Sequence, residues 1–145
     1  MKPIKILLVE DNSGDIMLTK EALADAKIHN EVEVCKDGQS AITYLMKTAK
    51  DDASALPDII LLDVNLPKRN GHEVLMSIKS ESALRHIPVI MLTTSSAPSD
   101  ITKAYQHHVN CYIVKPVDAS KFIDVVTSIE DFWLTIVNLP KQPGS

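Results

Sequence analysis

The sequence predicts an α/β protein with a single doubly wound, five-stranded parallel sheet. Short apolar runs alternate with stretches of helical periodicity along the chain. Several of these runs are nearly continuous Ile, Leu and Val, which is typical of strands buried on both faces. A regular β/α alternation predicts helices on both faces and right-handed crossovers. The strand order 2-1-3-4-5 is one of the common orders of such doubly wound sheets.

The individual elements follow from local patterns. The second strand alternates Val32 and Val34 with charged residues, which favours a place near the sheet edge. Asn12 or Ser13 can cap the first helix, and Asp37-Gly38 predicts a turn before the second. Strands are predicted at 4–9, 31–35, 58–62, 89–92 and 111–114. Helices are predicted up to about 27, around 42–49, around 74–78, after Pro98, and from 119 to about 138, with a surface loop at 50–57.

The bulk properties exclude several classes of protein. The formal net charge of -4 and the lack of a basic stretch argue against nucleic acid and anionic membranes as partners. No segment has the roughly 20 apolar residues of a membrane span, and the N-terminus does not resemble a signal peptide. Cys35 and Cys111 fit reduced thiols in a cytoplasmic protein. We expect one domain over residues 1–140 and a frayed tail at 141–145.

Polar residues are concentrated where the predicted strands end. Glu10 and Asp11 follow the first strand, Asp63 the third, Thr93 the fourth and Lys115 the fifth. The carboxyl ends of parallel strands lie on one edge of the sheet, where doubly wound folds bind ligands. In the order 2-1-3-4-5 strands one and three are neighbours, so the three carboxylates should converge.

Three converging carboxylates need raised pKa values or a cation among them. Two unit charges about 4 Å apart repel by roughly 4 kcal/mol at an effective dielectric of about 20. Oxygen-only ligands with open positions suit Mg²⁺. A lysine ammonium and a threonine hydroxyl add partners for a phosphoryl group, so the set predicts phosphoryl transfer to a carboxylate.

Each of these residues also has a purely structural interpretation. Asp11 could cap a helix, Asp63 could be a loop carboxylate, Thr93 could belong to a turn, and Lys115 could be a surface lysine. Four strand ends carrying complementary groups favour a site over these alternatives.

Four motifs resemble the receiver domain of two-component response regulators: ILLVEDN, IILLDVNLPKRNG, VIMLTTS and YIVKPV. The resemblance covers about residues 4–139. It implies the flavodoxin-like receiver fold with the strand order 2-1-3-4-5, and it implies that Asp63 is the phospho-acceptor. It also implies that Glu10, Asp11, Asp63 and the backbone carbonyl of Asn65 hold Mg²⁺, with Mn²⁺ able to substitute.

The same resemblance assigns switching roles. Thr93 would move to bond the phosphoryl oxygens and Lys115 would pair with them, while the side chain of Tyr112 would swing between outward and inward positions. The bond preceding Pro116 would be cis. Thr94 departs from the smaller residue common in the family, which leaves the lifetime of the phosphorylated state open.

The segment from Asn110 to Pro140, together with DVNLPKRNGHEVL, is similar to lone receivers that partner phytochrome-type histidine kinases. We therefore predict that the phosphoryl donor is a sensor histidine kinase, and this resemblance implies one of phytochrome type. Ile123, Leu134 and Val137 add apolar surface to the last helix, which predicts a homodimer through the fourth helix, fifth strand and fifth helix.

Three functions compete. The first is a phosphorylatable switch that signals through a changed surface of the fourth helix, fifth strand and fifth helix, and that is no enzyme beyond its own phosphorylation and dephosphorylation. The second is a Mg²⁺-dependent phosphohydrolase with Asp63 as nucleophile. Such hydrolases want a carboxylate two residues later, where this chain has Asn65. The third is a scaffold, which has no need of Asp63, Thr93 and Lys115 together.

Overall fold

The computed structural model describes residues 3–94 and 111–128. The helix predicted after Pro98 and the end of the last predicted helix lie outside them. The strands are β1 (Ile4–Val9), β2 (Asn30–Cys35), β3 (Ile59–Asp63), β4 (Val89–Thr93) and β5 (Cys111–Val114). The helices are α1 (Ser13–Asp25), α2 (Gly38–Asp51), α3 (Gly71–Ser80) and α4 (Ala119–Ser128), with a short 3-10 helix at Ala53–Ala55.

The strands form one parallel sheet in the order β2-β1-β3-β4-β5, which confirms the predicted fold class and order. In the register, Ile6 lies between Val32 on β2 and Ile59 on β3. The alternating strand β2 is at an edge of the sheet, as its pattern predicts.

Two apolar layers sandwich this sheet. On one face, α1 and α4 pack Leu23 and Phe122 against alternate residues of β1, β3 and β4. On the other face, α2 and α3 contribute Leu45 and Leu75 to a second cluster. All residues of β3 and β4 are buried, because neither face of these central strands meets water. This explains the continuous apolar runs in the sequence.

Several element ends differ from the predictions because polar side chains decide them. Asp37 caps α2 by accepting a hydrogen bond from the Ser40 amide at 2.7 Å, so Gly38 begins a helix rather than completing a turn. The predicted loop at 50–57 is shorter, because α2 continues to Asp51. Asn12 caps α1, one of the two candidates from the sequence.

The two cysteines are far apart. Cys35 lies on β2 and Cys111 on β5, at opposite edges of the sheet. Four strand spacings separate them by about 19 Å, at about 4.8 Å each. A disulfide needs Cα atoms within about 7 Å, so an intrachain bond between the two is excluded.

None of the helices in the described part of the chain is long and apolar enough to cross a membrane.

Two glycines bring helices into direct contact with the loop after β3. A Cβ on Gly71, the first residue of α3, would overlap the carbonyl oxygen of Asp63 and lie 2.8 Å from the Val64 Cα. A Cβ on Gly38 would overlap the Arg69 carbonyl oxygen. The start of each helix therefore rests on loop backbone, with no room for a side chain.

We predict that Gly71→Ala lowers the free energy of unfolding by about 1–3 kcal/mol, the usual cost of overpacking a site that cannot give way. Urea denaturation measures the loss. Gly14→Ala is the matched control, because its Cβ would meet only the Asn12 side chain, at 3.2 Å. Equal stability of the two variants would contradict the close packing at Gly71.

Candidate functional site

The sheet brings Glu10 and Asp63 side by side. Val9 and Leu62 are partners in the β1–β3 ladder, so the residues that follow them are neighbours at the carboxyl edge. Both side chains are buried, with Glu10 1% and Asp63 4% exposed, whereas Asp11 is exposed. Carboxylate oxygens of all three lie within 4.8 Å of one another. The predicted convergence is present.

The Lys115 ammonium lies among these carboxylates. Its Nζ is 2.5 Å from Glu10 Oε1, 3.1 Å from Asp63 Oδ1 and 3.0 Å from Asp15 Oδ2. The Lys115 side chain is itself largely buried. The lysine thus serves as the internal counter-ion of the acidic cluster, a contact that the sequence argument did not specify.

The surroundings change the acidity of both partners. Burial and the charge of Glu10 raise the pKa of Asp63 to about 6, although Lys115 acts in the opposite direction. Burial lowers the pKa of Lys115, but its hydrogen bonds to Glu10, Asp15 and Asp63 outweigh this and raise it above the usual value. The lysine therefore stays charged and neutralises only part of the cluster.

Backbone contacts fix the position of Lys115. Its amide donates to the Thr93 carbonyl at 2.7 Å, and the following peptide bond, to Pro116, is cis. The Lys121 ammonium donates to the carbonyls of Val114 and Pro116 at 3.4 and 3.2 Å. The start of α4 thereby holds the turn that carries Lys115.

The loop after Asp63 is also constrained. The Val64 amide donates to the Leu92 carbonyl and the Gly71 amide to the Val64 carbonyl, both at 2.9 Å. The Arg69 amide donates to the Pro67 carbonyl at 2.7 Å across Lys68, whose φ is 66°. A positive φ at a lysine within such a γ-turn is a strained conformation. Asn65 is exposed in this loop.

The other predicted residues lie next to this edge. Thr93 is the last residue of β4 and is buried, and Thr94 is exposed. Tyr112 on β5 is half-buried against the α2–α3 side of the core. It pairs in register with Met91.

Asp15 is the residue that sequence reasoning missed. It lies in the first turn of α1, and its carboxylate accepts a hydrogen bond from the Lys115 ammonium at 3.0 Å. Its signal in the sequence is an acidic residue one turn after Asp11, at the start of a helix that begins at the carboxyl edge. The strand ends alone do not reveal Asp15, because it lies within a helix.

The donor set fits a small divalent cation. The carboxylates of Glu10, Asp11 and Asp63 offer only oxygen atoms, which hard cations such as Mg²⁺ and Mn²⁺ prefer. Two of the three are buried and share one ammonium. A further positive charge is therefore favourable here on electrostatic grounds.

Fold and site together define a class. Residues 6–127 match the model of the response regulator receiver domain. The chain belongs to this family.

Similar proteins include regulators associated with phytochromes. The response regulator Rcp1 of Synechocystis sp. is 42% identical over 95% of this chain and 94% of its own. The crystal structure of a phosphorylated cyanobacterial phytochrome response regulator, RcpA, has a TM-score of 0.73 and 47% identity, covering 92% of this chain and 95% of that one. The Mn²⁺-bound form of Rcp1 has a TM-score of 0.71 and 42% identity, covering 91% and 95%.

The raised pKa of Asp63 predicts a pH-dependent stability difference. The folded value of about 6 lies above the unfolded value of about 3.9, so ionised Asp63 destabilises the metal-free fold above pH 6. In EDTA, Asp63→Asn should be more stable than wild type by about 1–3 kcal/mol at pH 8. This advantage should shrink as the pH falls through 6 and vanish below about 4.

Denaturant titrations across this pH range measure the difference. Asp25→Asn, an exposed carboxylate at the other end of α1, is the control and should show no such trend. A constant advantage of Asp63→Asn at every pH would contradict the electrostatic origin.

Proposed function

We propose that this receiver domain accepts a phosphoryl group on Asp63 from a sensor histidine kinase, with Mg²⁺ bound by Glu10, Asp11, Asp63 and the backbone carbonyl of Asn65. The observation that carries the proposal is the buried Asp63 carboxylate, which contacts Lys115 and shares a cluster with Glu10 and Asp11. A buried carboxylate in a mostly apolar fold needs such partners, and together they form a phosphoryl-transfer site.

Phosphoryl transfer follows from the chemistry of these groups. An Asp63 oxygen attacks the phosphorus of the donor phosphohistidine, the P–N bond breaks, and the bonding pair returns to the imidazole. The Lys115 ammonium, 3.1 Å from Asp63 Oδ1, takes up negative charge on the phosphoryl oxygens. The metal, when bound, supplies the remaining positive charge.

The response passes from Asp63 to neighbouring strands. Thr93 ends the adjacent strand β4, and its carbonyl holds the Lys115 amide. In the proposed switch, the Thr93 hydroxyl moves to the phosphoryl oxygens and Tyr112 changes position on β5. The affected surface comprises the helix predicted after Pro98, β5 and α4, which is the proposed signalling surface.

Relatives support the partner and the metal. RcpA is a cyanobacterial phytochrome response regulator. The response regulator Rcp1 has been crystallised in a Mn²⁺-bound form. We extend both properties to this chain, with Mn²⁺ as a substitute for Mg²⁺. A cytoplasmic location, a domain over residues 1–140 and a homodimer stay predictions, the last testable by sedimentation with and without phosphorylation.

The alternative of a Mg²⁺-dependent phosphohydrolase is not favoured. The position two residues after Asp63 holds Asn65, which cannot act as a general acid, and the match to the receiver family covers most of the chain. No other described feature supports turnover of a small phosphoester.

With Mg²⁺ and acetyl phosphate, we predict that the protein gains one phosphoryl group, labile to both acid and alkali. Asp63→Asn should gain none while staying folded. Intact mass measurement detects the phosphoryl group, and circular dichroism shows whether Asp63→Asn is folded. The control variant Asp25→Asn should gain the phosphoryl group as wild type does. Label retained by Asp63→Asn would place the phosphoryl group elsewhere.

Phosphotransfer profiling tests the proposed partner. Among the histidine kinases of the host, a phytochrome-type kinase should transfer to this chain faster than the others by at least about tenfold, equivalent to about 1.4 kcal/mol in barrier height. Equal or faster transfer from kinases of other types would refute the phytochrome assignment and leave the phospho-acceptor role intact.

A further inference from the structure

The geometry points to Asp15 as a positioning residue that competes with the phosphoryl group for the ammonium of Lys115 and thereby weakens the phosphorylated state. The inference rests on the proposed function. Asp15 is outside the carboxylate cluster that could hold a metal, so its effect passes through Lys115.

The Lys115 ammonium is already surrounded by three carboxylates. An ammonium has three N–H donors. In this structure three carboxylates lie within 3.1 Å of Nζ, those of Glu10, Asp15 and Asp63. A phosphoryl group on Asp63 brings additional charge and acceptor oxygens. To bond it through a second N–H, Lys115 must release Glu10 or Asp15.

Asp15 is the carboxylate that can leave. Its side chain is 36% exposed, so water can replace the lysine as its partner. Glu10 is 1% exposed and would lose its ion pair without gaining hydration. The charge of the Asp15 carboxylate stays stabilised after Lys115 has left. Asp15 lies in the first turn of α1, where the helix dipole stabilises negative charge.

The competition has a definite sign. While Asp15 holds one donor, the phosphoryl group receives less of the lysine charge and also faces a nearby carboxylate. Removing the Asp15 charge should therefore strengthen binding of a phosphoryl group. A purely structural role at the start of α1 predicts the opposite, because loosening the helix start would weaken every ligand contact.

The test uses beryllofluoride, a phosphoryl mimic that forms no covalent P–O bond, at saturating Mg²⁺. The bound fraction is followed by fluorine NMR. We expect Asp15→Asn to bind beryllofluoride about fivefold more tightly than wild type, the scale of one partly exposed ion pair. Affinity for Mg²⁺ alone, measured by calorimetry, should change by less than about twofold, because Asp15 is not among the metal-binding oxygens.

Two controls separate the mechanism from general charge effects. Asp25→Asn removes the same charge from an exposed residue about 15 Å along α1 and should leave the affinity unchanged. In a Lys115→Ala background, Asp15→Asn should lose its effect. An equal gain in that background would show a general field rather than competition for the lysine, and would overturn the inference.

The outcomes for Asp15 and for the proposed function are distinguishable. If wild type binds Mg²⁺ and beryllofluoride but Asp15→Asn binds the mimic equally or less tightly, the competition is refuted and the phospho-acceptor role stands. If wild type binds neither, the proposed function fails and the inference fails with it.

Discussion

The site depends on a shortage of positive charge at one edge of the sheet. The parallel fold places carboxylates at the ends of neighbouring strands, and burial removes the water that would solvate them. The Lys115 ammonium neutralises part of this negative charge. Because the remaining negative charge is not neutralised, the pKa of Asp63 is raised. A cluster of carboxylates with too little positive charge around it favours the binding of a cation, because the cation stabilises the ionised carboxylates.

The surrounding backbone keeps this arrangement from relaxing. At Gly71 and Gly38 the starts of two helices contact the backbone of the loop after Asp63 directly, because glycine has no side chain. The same loop contains a strained residue, Lys68. On the other side, the Thr93 carbonyl and the Lys121 ammonium hold the turn that carries Lys115. The charged groups therefore stay close together because the backbone between them has little freedom to move apart.

Much of the fold could be read from the sequence, since its signals are local. Buried parallel strands need continuous apolar runs, and capping residues such as Asn12 mark helix starts. The convergence of Glu10 and Asp63 also followed, because strand order alone determines which ends are neighbours.

Contacts that depend on side-chain direction could not be predicted in this way. The sequence gives no angle between Asp15 and the sheet, so its approach to Lys115 was not foreseen. The predicted strand ends also fell one residue short at Asp63 and Thr93. Hydrogen bonds to the neighbouring strand, such as Val64 to Leu92, continue past the apolar run.

The edge strand β2 has a consequence for the solution behaviour of the protein. It pairs only with β1 among the described strands, so its outer row of amides and carbonyls is open to another chain. Glu31 and Glu33 are exposed along it, and two molecules meeting edge to edge would bring these like charges together. Such repulsion disfavours the addition of a second molecule's strand at this edge of the sheet.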